Sequence, residues 1–186
     1  MKNTITFFCS GKTHLKEECN ENIANLIKKI DIDKTSIAYG GGRVGLMGIV
    51  RDTFVSMKGT IISSNMRIFK EESIEDDYLF DSIDQRQKKL VELGDAYVAL
   101  PGGFGTLFEL FEVITKNQIG EASKPIFIYN YNNVYDDLVS LIEKLMEENF
   151  IKHDFANYKI EFFTNHEELA DRINNLREHQ PAKDQM

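Results

Sequence analysis

Short apolar, β-branched runs alternate along this chain with longer stretches whose apolar positions recur every three or four residues, the signatures of buried strands and amphipathic helices. The runs predict strands over Ile5–Cys9, Ser36–Tyr39, Thr60–Ser63, Ala96–Leu100, Pro125–Tyr129 and Ile160–Phe163. The periodic stretches predict helices over Lys16–Ile30, Leu46–Met57, Ser82–Leu93, Thr106–Ile119, Tyr135–Asn149 and Glu167–Arg177. Strand and helix thus alternate six times. That order calls for a parallel sheet with helices on both faces, a three-layer, doubly wound, Rossmann-like α/β fold. No linker or repeat interrupts it, so residues 1–178 are expected to form one domain. The apolar period is lost after that, and 179–186 are expected to fray.

Composition narrows the function classes. The 186 residues are 42% hydrophobic and 28% charged, enough for one domain with a substantial core. With 30 Asp+Glu against 22 Lys+Arg the net charge is -8, which disfavours a nucleic-acid partner, because that partner draws on clustered cations. No apolar run approaches the roughly 20 residues of a membrane helix. The first eight residues are too short and too Thr-rich for a signal segment, so a cytoplasmic protein with reduced Cys9 and Cys19 is expected. His14, His153, His166 and His179 are scattered without ligand spacing, and no metal ion is expected.

Candidate chemistry lies in two glycine-rich loops. Gly40-Gly41-Gly42-Arg43-Val44-Gly45-Leu46-Met47-Gly48 follows one predicted strand and opens a helix, and Pro101-Gly102-Gly103-Phe104-Gly105-Thr106-Leu107-Phe108-Glu109 does the same after another. Glycines let consecutive N–H groups approach an anion, and the helix N-terminus adds partial positive charge. Tight packing of helix on sheet would explain one such loop alone. Two at the same sheet edge make a nucleotide phosphate the economical ligand, with Gly41, Gly42, Gly45, Met47, Gly102, Gly103, Gly105 and Thr106 as its candidate contacts, and with Thr106 placed either to cap its helix or to donate its hydroxyl. Neither loop ends in the Gly-Lys-Ser/Thr of a nucleoside triphosphatase, so metal-assisted ATP cleavage is not expected.

On a wheel of about 100° per residue, Glu109, Glu112 and Lys116 share one arc of about 60°, and Glu109 lies beside the second glycine loop. Glu112 and Lys116 read as an ordinary i,i+4 pair. The apolar positions of that helix cover about 180°, wider than one sheet face requires, so Leu107, Phe108 and Phe111 are expected to meet a second copy of the chain. In the preceding helix Arg86 falls within a stripe formed by Ile83, Leu90 and Leu93. A guanidinium cannot lose its proton, so a buried one calls for an anionic partner.

At these residues the chain resembles the "lonely guy" phosphoribohydrolases, a family also described as putative lysine decarboxylases. Its paired motifs, Gly-Gly-Gly-x-x-Gly-Leu-Met-Gly and Pro-Gly-Gly-x-Gly-Thr-x-x-Glu, match Gly40–Gly48 and Pro101–Glu109. The family's Arg-bearing helix appears as Ile83-Asp84-Gln85-Arg86-Gln87. The chain departs from the pattern at Ser10-Gly11, Asp84, Gln87 and Lys116. The resemblance implies a homodimer that cleaves a nucleoside 5′-monophosphate, such as AMP or a cytokinin-type N6-substituted AMP, into base and ribose 5-phosphate. Arg86 and Glu109 are then the catalytic pair, Glu112 belongs to the binding set, and no cofactor is implied. A nucleotide or cofactor carrier using the same loops without hydrolysis is the rival expectation. Decarboxylation is not expected, since it uses a Schiff-base lysine with pyridoxal phosphate and neither loop offers that pattern.

Overall fold

Ile5, Phe7, Phe8, Tyr97, Val98, Ile126, Phe127 and Ile128 are all 1% exposed or less, so their strands are apolar on both faces and must be covered on both. The computed structural model describes residues 2–13, 15–72 and 77–176. Within them one parallel sheet contains β1 (Asn3–Phe8), β2 (Thr35–Tyr39), β3 (Thr60–Met66), β4 (Tyr78–Phe80), β5 (Ala96–Ala99), β6 (Ile126–Tyr129) and β7 (Ile160–Phe163). The strand order is β4-β3-β2-β1-β5-β6-β7. The helices are α1 (Glu17–Lys28), α2 (Gly45–Ser56), α3 (Ile83–Leu93), α4 (Phe104–Gln118), α5 (Asp136–Glu147) and α6 (His166–Asn174).

Side chains of α1, α2 and α6 pack with Ile5, Phe7 and Val98 on one face of the sheet. Those of α3, α4 and α5 pack with Phe8, Tyr97 and Ile128 on the other. This is the three-layer, Rossmann-like arrangement expected. The chain winds outward from β1 in one direction and from β5 in the other. That reversal leaves a crevice between the loops at their carboxyl ends, where ligands of such sheets bind.

Several boundaries differ from the sequence-based expectation. β3 continues past Ser63 to Met66 because its extension pairs with β4, Ser64 opposite Tyr78 and Met66 opposite Phe80. β4 was not predicted, and three residues give no periodicity to read. α4 begins at Phe104, with Gly103 as a cap that uses no side chain, so Thr106 lies inside the first turn and does not cap the helix. In α3 the buried side is formed by Gln87, Leu90 and Val91. Arg86 therefore sits on the margin of that side, and Ile83, expected in the apolar stripe, is 51% exposed at the crevice. His14, His179, the expected end of α6 at Arg177, the domain limit at 178 and the tail 179–186 lie outside the described residues.

Candidate active site

The crevice is a cavity of about 530 Å³, within the range that holds a nucleotide-sized molecule. Its walls come from the β1 and β2 loops, the end of β3, the first turn of α3 and the start of α4. Of the predicted site residues, Gly42, Met47, Arg86, Gly103, Gly105, Thr106 and Glu109 line it, whereas Gly41, Gly45, Gly102 and Glu112 do not.

Arg86 is the organising side chain. Ser82 caps α3 by accepting from the Gln85 N–H at 3.3 Å, which sets the first turn from which Arg86 projects. Its Nε donates to the Ser64 carbonyl at 3.1 Å, and the Ser64 hydroxyl donates back to the Arg86 carbonyl at 3.2 Å. Its Nη1 donates to Glu109 Oε1 at 2.9 Å, an ion pair whose side chains are only 14% and 9% exposed. The anionic partner required by the sequence is thus Glu109. Any side chain at Gly40 would collide with Nη2 of Arg86, so the bare backbone there admits the guanidinium.

Burial pushes the Glu109 carboxyl above the ordinary glutamate range, the Arg86 charge and hydrogen bond oppose that, and nearby Glu112 adds to the rise. The Cys9 thiol, which also lines the cavity, is pushed far up by burial and by Glu109, and Arg86 only partly offsets this. A thiol held neutral in this way is no nucleophile.

The two glycine loops differ in kind. In the first, a Cβ at Gly42 would press on Met47, and one at Gly45, where φ is +62°, would stand 2.5 Å from the Lys12 carbonyl oxygen. Those glycines answer to packing. In the second, a Cβ on Gly103 or Gly105 would meet nothing within 4 Å. Their bareness faces open space at the start of α4, beside N–H groups that have no acceptor within the helix. Gly102 lies behind them, where a Cβ would strike the Thr106 hydroxyl. Glu112 is one turn beyond Glu109, with Oε1 3.9 Å from Lys116, which also pairs with Glu121 at 2.9 Å.

Sequence reasoning missed Ser64, Asn65, Phe69 and Ile83 as parts of the site. The polar run Ser63-Ser64-Asn65 at the end of an apolar strand was the available signal.

Fold and cavity define a Rossmann-like α/β protein with its site at the switch point of the sheet. A family model described as "Possible lysine decarboxylase" matches residues 34–173. A cytokinin riboside 5′-monophosphate phosphoribohydrolase of Arabidopsis thaliana is 34% identical over 152 residues, 79% of this chain and 71% of that protein. The enzyme of the same name from Rhodococcoides fascians is 32% identical over 154 residues, covering 80% and 78% of the two chains. Among solved structures, the molybdenum cofactor binding protein of Rippkaea orientalis superposes with a TM-score of 0.66 at 19% identity, covering 95% of this chain and 98% of that one. The chain belongs to the lonely-guy family of phosphoribohydrolases, whose family model carries the decarboxylase description. Pyridoxal phosphate does not fit the cavity: among the described residues Lys12 is the one lysine lining it and is exposed, and the buried carboxylate is already paired with Arg86.

Proposed function

We propose that the protein hydrolyses the N-glycosidic bond of a nucleoside 5′-monophosphate, AMP or a cytokinin-type N6-substituted AMP, to free base and ribose 5-phosphate. The names of its relatives support the reaction class. The single observation that carries it is the Glu109 carboxylate, buried in the cavity wall and held by Arg86 beside the open start of α4. In this reading the phosphate rests on the N–H groups of Gly103, Gly105 and Thr106, which favours a 5′-monophosphate over a nucleoside. Glu109, about 4.5 to 9 Å further along the helix axis, then faces the sugar.

As the C1′–N bond breaks, its electron pair goes to the base and positive charge builds on C1′ and the ring oxygen. Glu109 stabilises that charge, accepts a proton from the water whose oxygen bonds to C1′, and passes that proton to the base nitrogen that took the electron pair, so that free base leaves and the carboxylate is restored. A carboxyl pushed upward suits that proton transfer. Arg86 keeps the carboxylate in one rotamer and reaches the sugar or phosphate.

A homodimer belongs to the same proposal. Phe104, Phe108, Phe111 and Ile119 fall on one exposed side of α4, at 92, 45, 41 and 61% exposure. Leu107, expected with them, instead packs against the core. Phe104 also lines the cavity, so a second copy covering this stripe would border the site.

Chromatography of AMP, isopentenyl-AMP and adenosine after incubation tests the reaction. Release of base from the nucleotides, with adenosine a poor substrate, is expected. No base above a protein-free control overturns hydrolysis, and binding of AMP without cleavage points to the carrier instead.

A further inference from the structure

We infer that Asn65 is a positioning residue that donates a hydrogen bond from Nδ2 to an acceptor on the nucleoside portion of the bound nucleotide, an inference that rests on the reading of the cavity as a nucleotide site. Asn65 ends β3 in the cavity wall and is 5% exposed. Its Oδ1 accepts from the Met66 N–H at 2.8 Å. A backbone N–H can only donate, so this contact fixes which amide atom is the oxygen and leaves Nδ2 as the free end. That nitrogen is buried and has no hydrogen-bond partner among the described residues. Buried amide donors are rarely left in that state, because an unmade hydrogen bond there is costly.

Three further observations point to a ligand as the missing partner. First, Nδ2 is covered by the turn at Gly41, where φ is +81° and a Cβ would come within 3.1 Å of it. Gly41 lies between Gly40 and Gly42, both of which line the cavity, so the donor abuts the cavity's own wall. Second, the adjoining residue Ser64 anchors Arg86, so one strand end fixes both the amide and the pair formed by Arg86 and Glu109. Third, β3 lies three places from β5 in the sheet, about 14 Å at the usual strand spacing, so Asn65 is remote from the phosphate end at the start of α4. What reaches it is sugar or base. Nδ2 can only donate, so it selects for an acceptor, a ribose hydroxyl oxygen or a ring nitrogen, and against an amino group.

Asn65→Asp keeps an oxygen for Met66 and removes the donor, and Asn65→Ala removes the donor without adding charge. Calorimetry in the Glu109→Gln background, which slows AMP cleavage about 100- to 1000-fold, measures affinity for AMP and for ribose 5-phosphate, and thermal melts without ligand follow the fold. Both variants are expected to bind AMP about 10- to 100-fold more weakly while remaining folded. Ribose 5-phosphate affinity reduced by the same factor assigns the acceptor to the sugar, and unchanged affinity assigns it to the base. Unchanged AMP affinity in either folded variant overturns the inference, as does a lower melting temperature with unaltered binding. Base release by the Glu109-containing protein is measured in parallel. Its absence overturns hydrolysis alone when AMP still binds through Asn65, whereas failure of AMP to bind at all overturns both.

Discussion

Glu109→Gln separates the charge of the buried carboxylate from its shape. The amide keeps an oxygen for Arg86 Nη1, so the geometry of the pair is retained and only the charge is removed. A unit charge about 4 Å from a sugar carrying full positive charge, at an effective dielectric of about 20, is worth about 4 kcal/mol. At 1.36 kcal/mol per decade that is about 1000-fold in rate, and the amide dipole returns part of it, so a loss of 100- to 1000-fold in turnover of AMP is expected. The pH profile supplies a second reading. Because burial raises the Glu109 pKa, the rate falls with acidification at a pH above the ordinary glutamate range, and the variant lacks that limb. Stability moves in the opposite sense. A carboxyl whose folded pKa exceeds its unfolded one binds more protons when folded, so it loses stability as pH rises through that window. The variant should therefore lack this pH dependence of the melting temperature. Near-parental turnover, or an acid limb that survives the substitution, would refute the role given to Glu109.

The two glycine loops should separate under substitution. Gly45→Ala is expected to lower the melting temperature by about 4 to 8 °C, from a left-handed alanine and its clash with Lys12, whereas Gly103→Ala should leave melting unchanged and raise the KM for AMP. Light scattering should give twice the monomer mass, with Phe108→Glu shifting it to monomer and lowering activity; an active monomer at micromolar concentration would remove the dimer argument. Gln87 is 1% exposed and neither amide atom has a partner among the described residues, so Gln87→Met should raise the melting temperature by about 2 to 4 °C, and a lower value would show that the amide is satisfied in solution.

The apolar runs made six of the seven strands legible, because each is rich in apolar and β-branched residues and the central ones, β2, β5 and β6, are buried on both faces. β4 was hidden since its three residues owe their strand character to pairing with Ser64–Met66, a tertiary fact. The wheel set Arg86 inside the apolar stripe of its helix, whence the demand for an anionic partner, but the structure puts Arg86 at the margin of that stripe and Ile83 at the cavity. The wheel assumes that apolar means inward, and the first turn of α3 borders a cavity where an isoleucine can face a ligand space. The glycine loops looked equivalent in sequence. What distinguishes them is the neighbour each missing side chain would meet, Met47 and the Lys12 backbone in one case and open space in the other. Asn65 lay beyond the predicted end of its strand at Ser63 and drew no reading, since an unpaired amide nitrogen is visible only once every surrounding group has been placed.

The strand order has a consequence for synthesis. β1 is flanked by β2 and β5, and although β2 ends at Tyr39, β5 begins only at Ala96. At about 5 to 20 residues per second, the ribosome takes about 3 to 12 s to make the intervening stretch. For that interval the β5-facing edge of β1, with Ile5, Phe7 and Phe8 along the strand, has no neighbour and is open to pairing with another nascent chain. The ligand cavity is equally late, because Glu109 follows β5. A ribosome stalled between β2 and β5 would therefore hold a chain with an adhesive edge and no site, and holdase binding to stalled chains of that length measures how long the edge stays open.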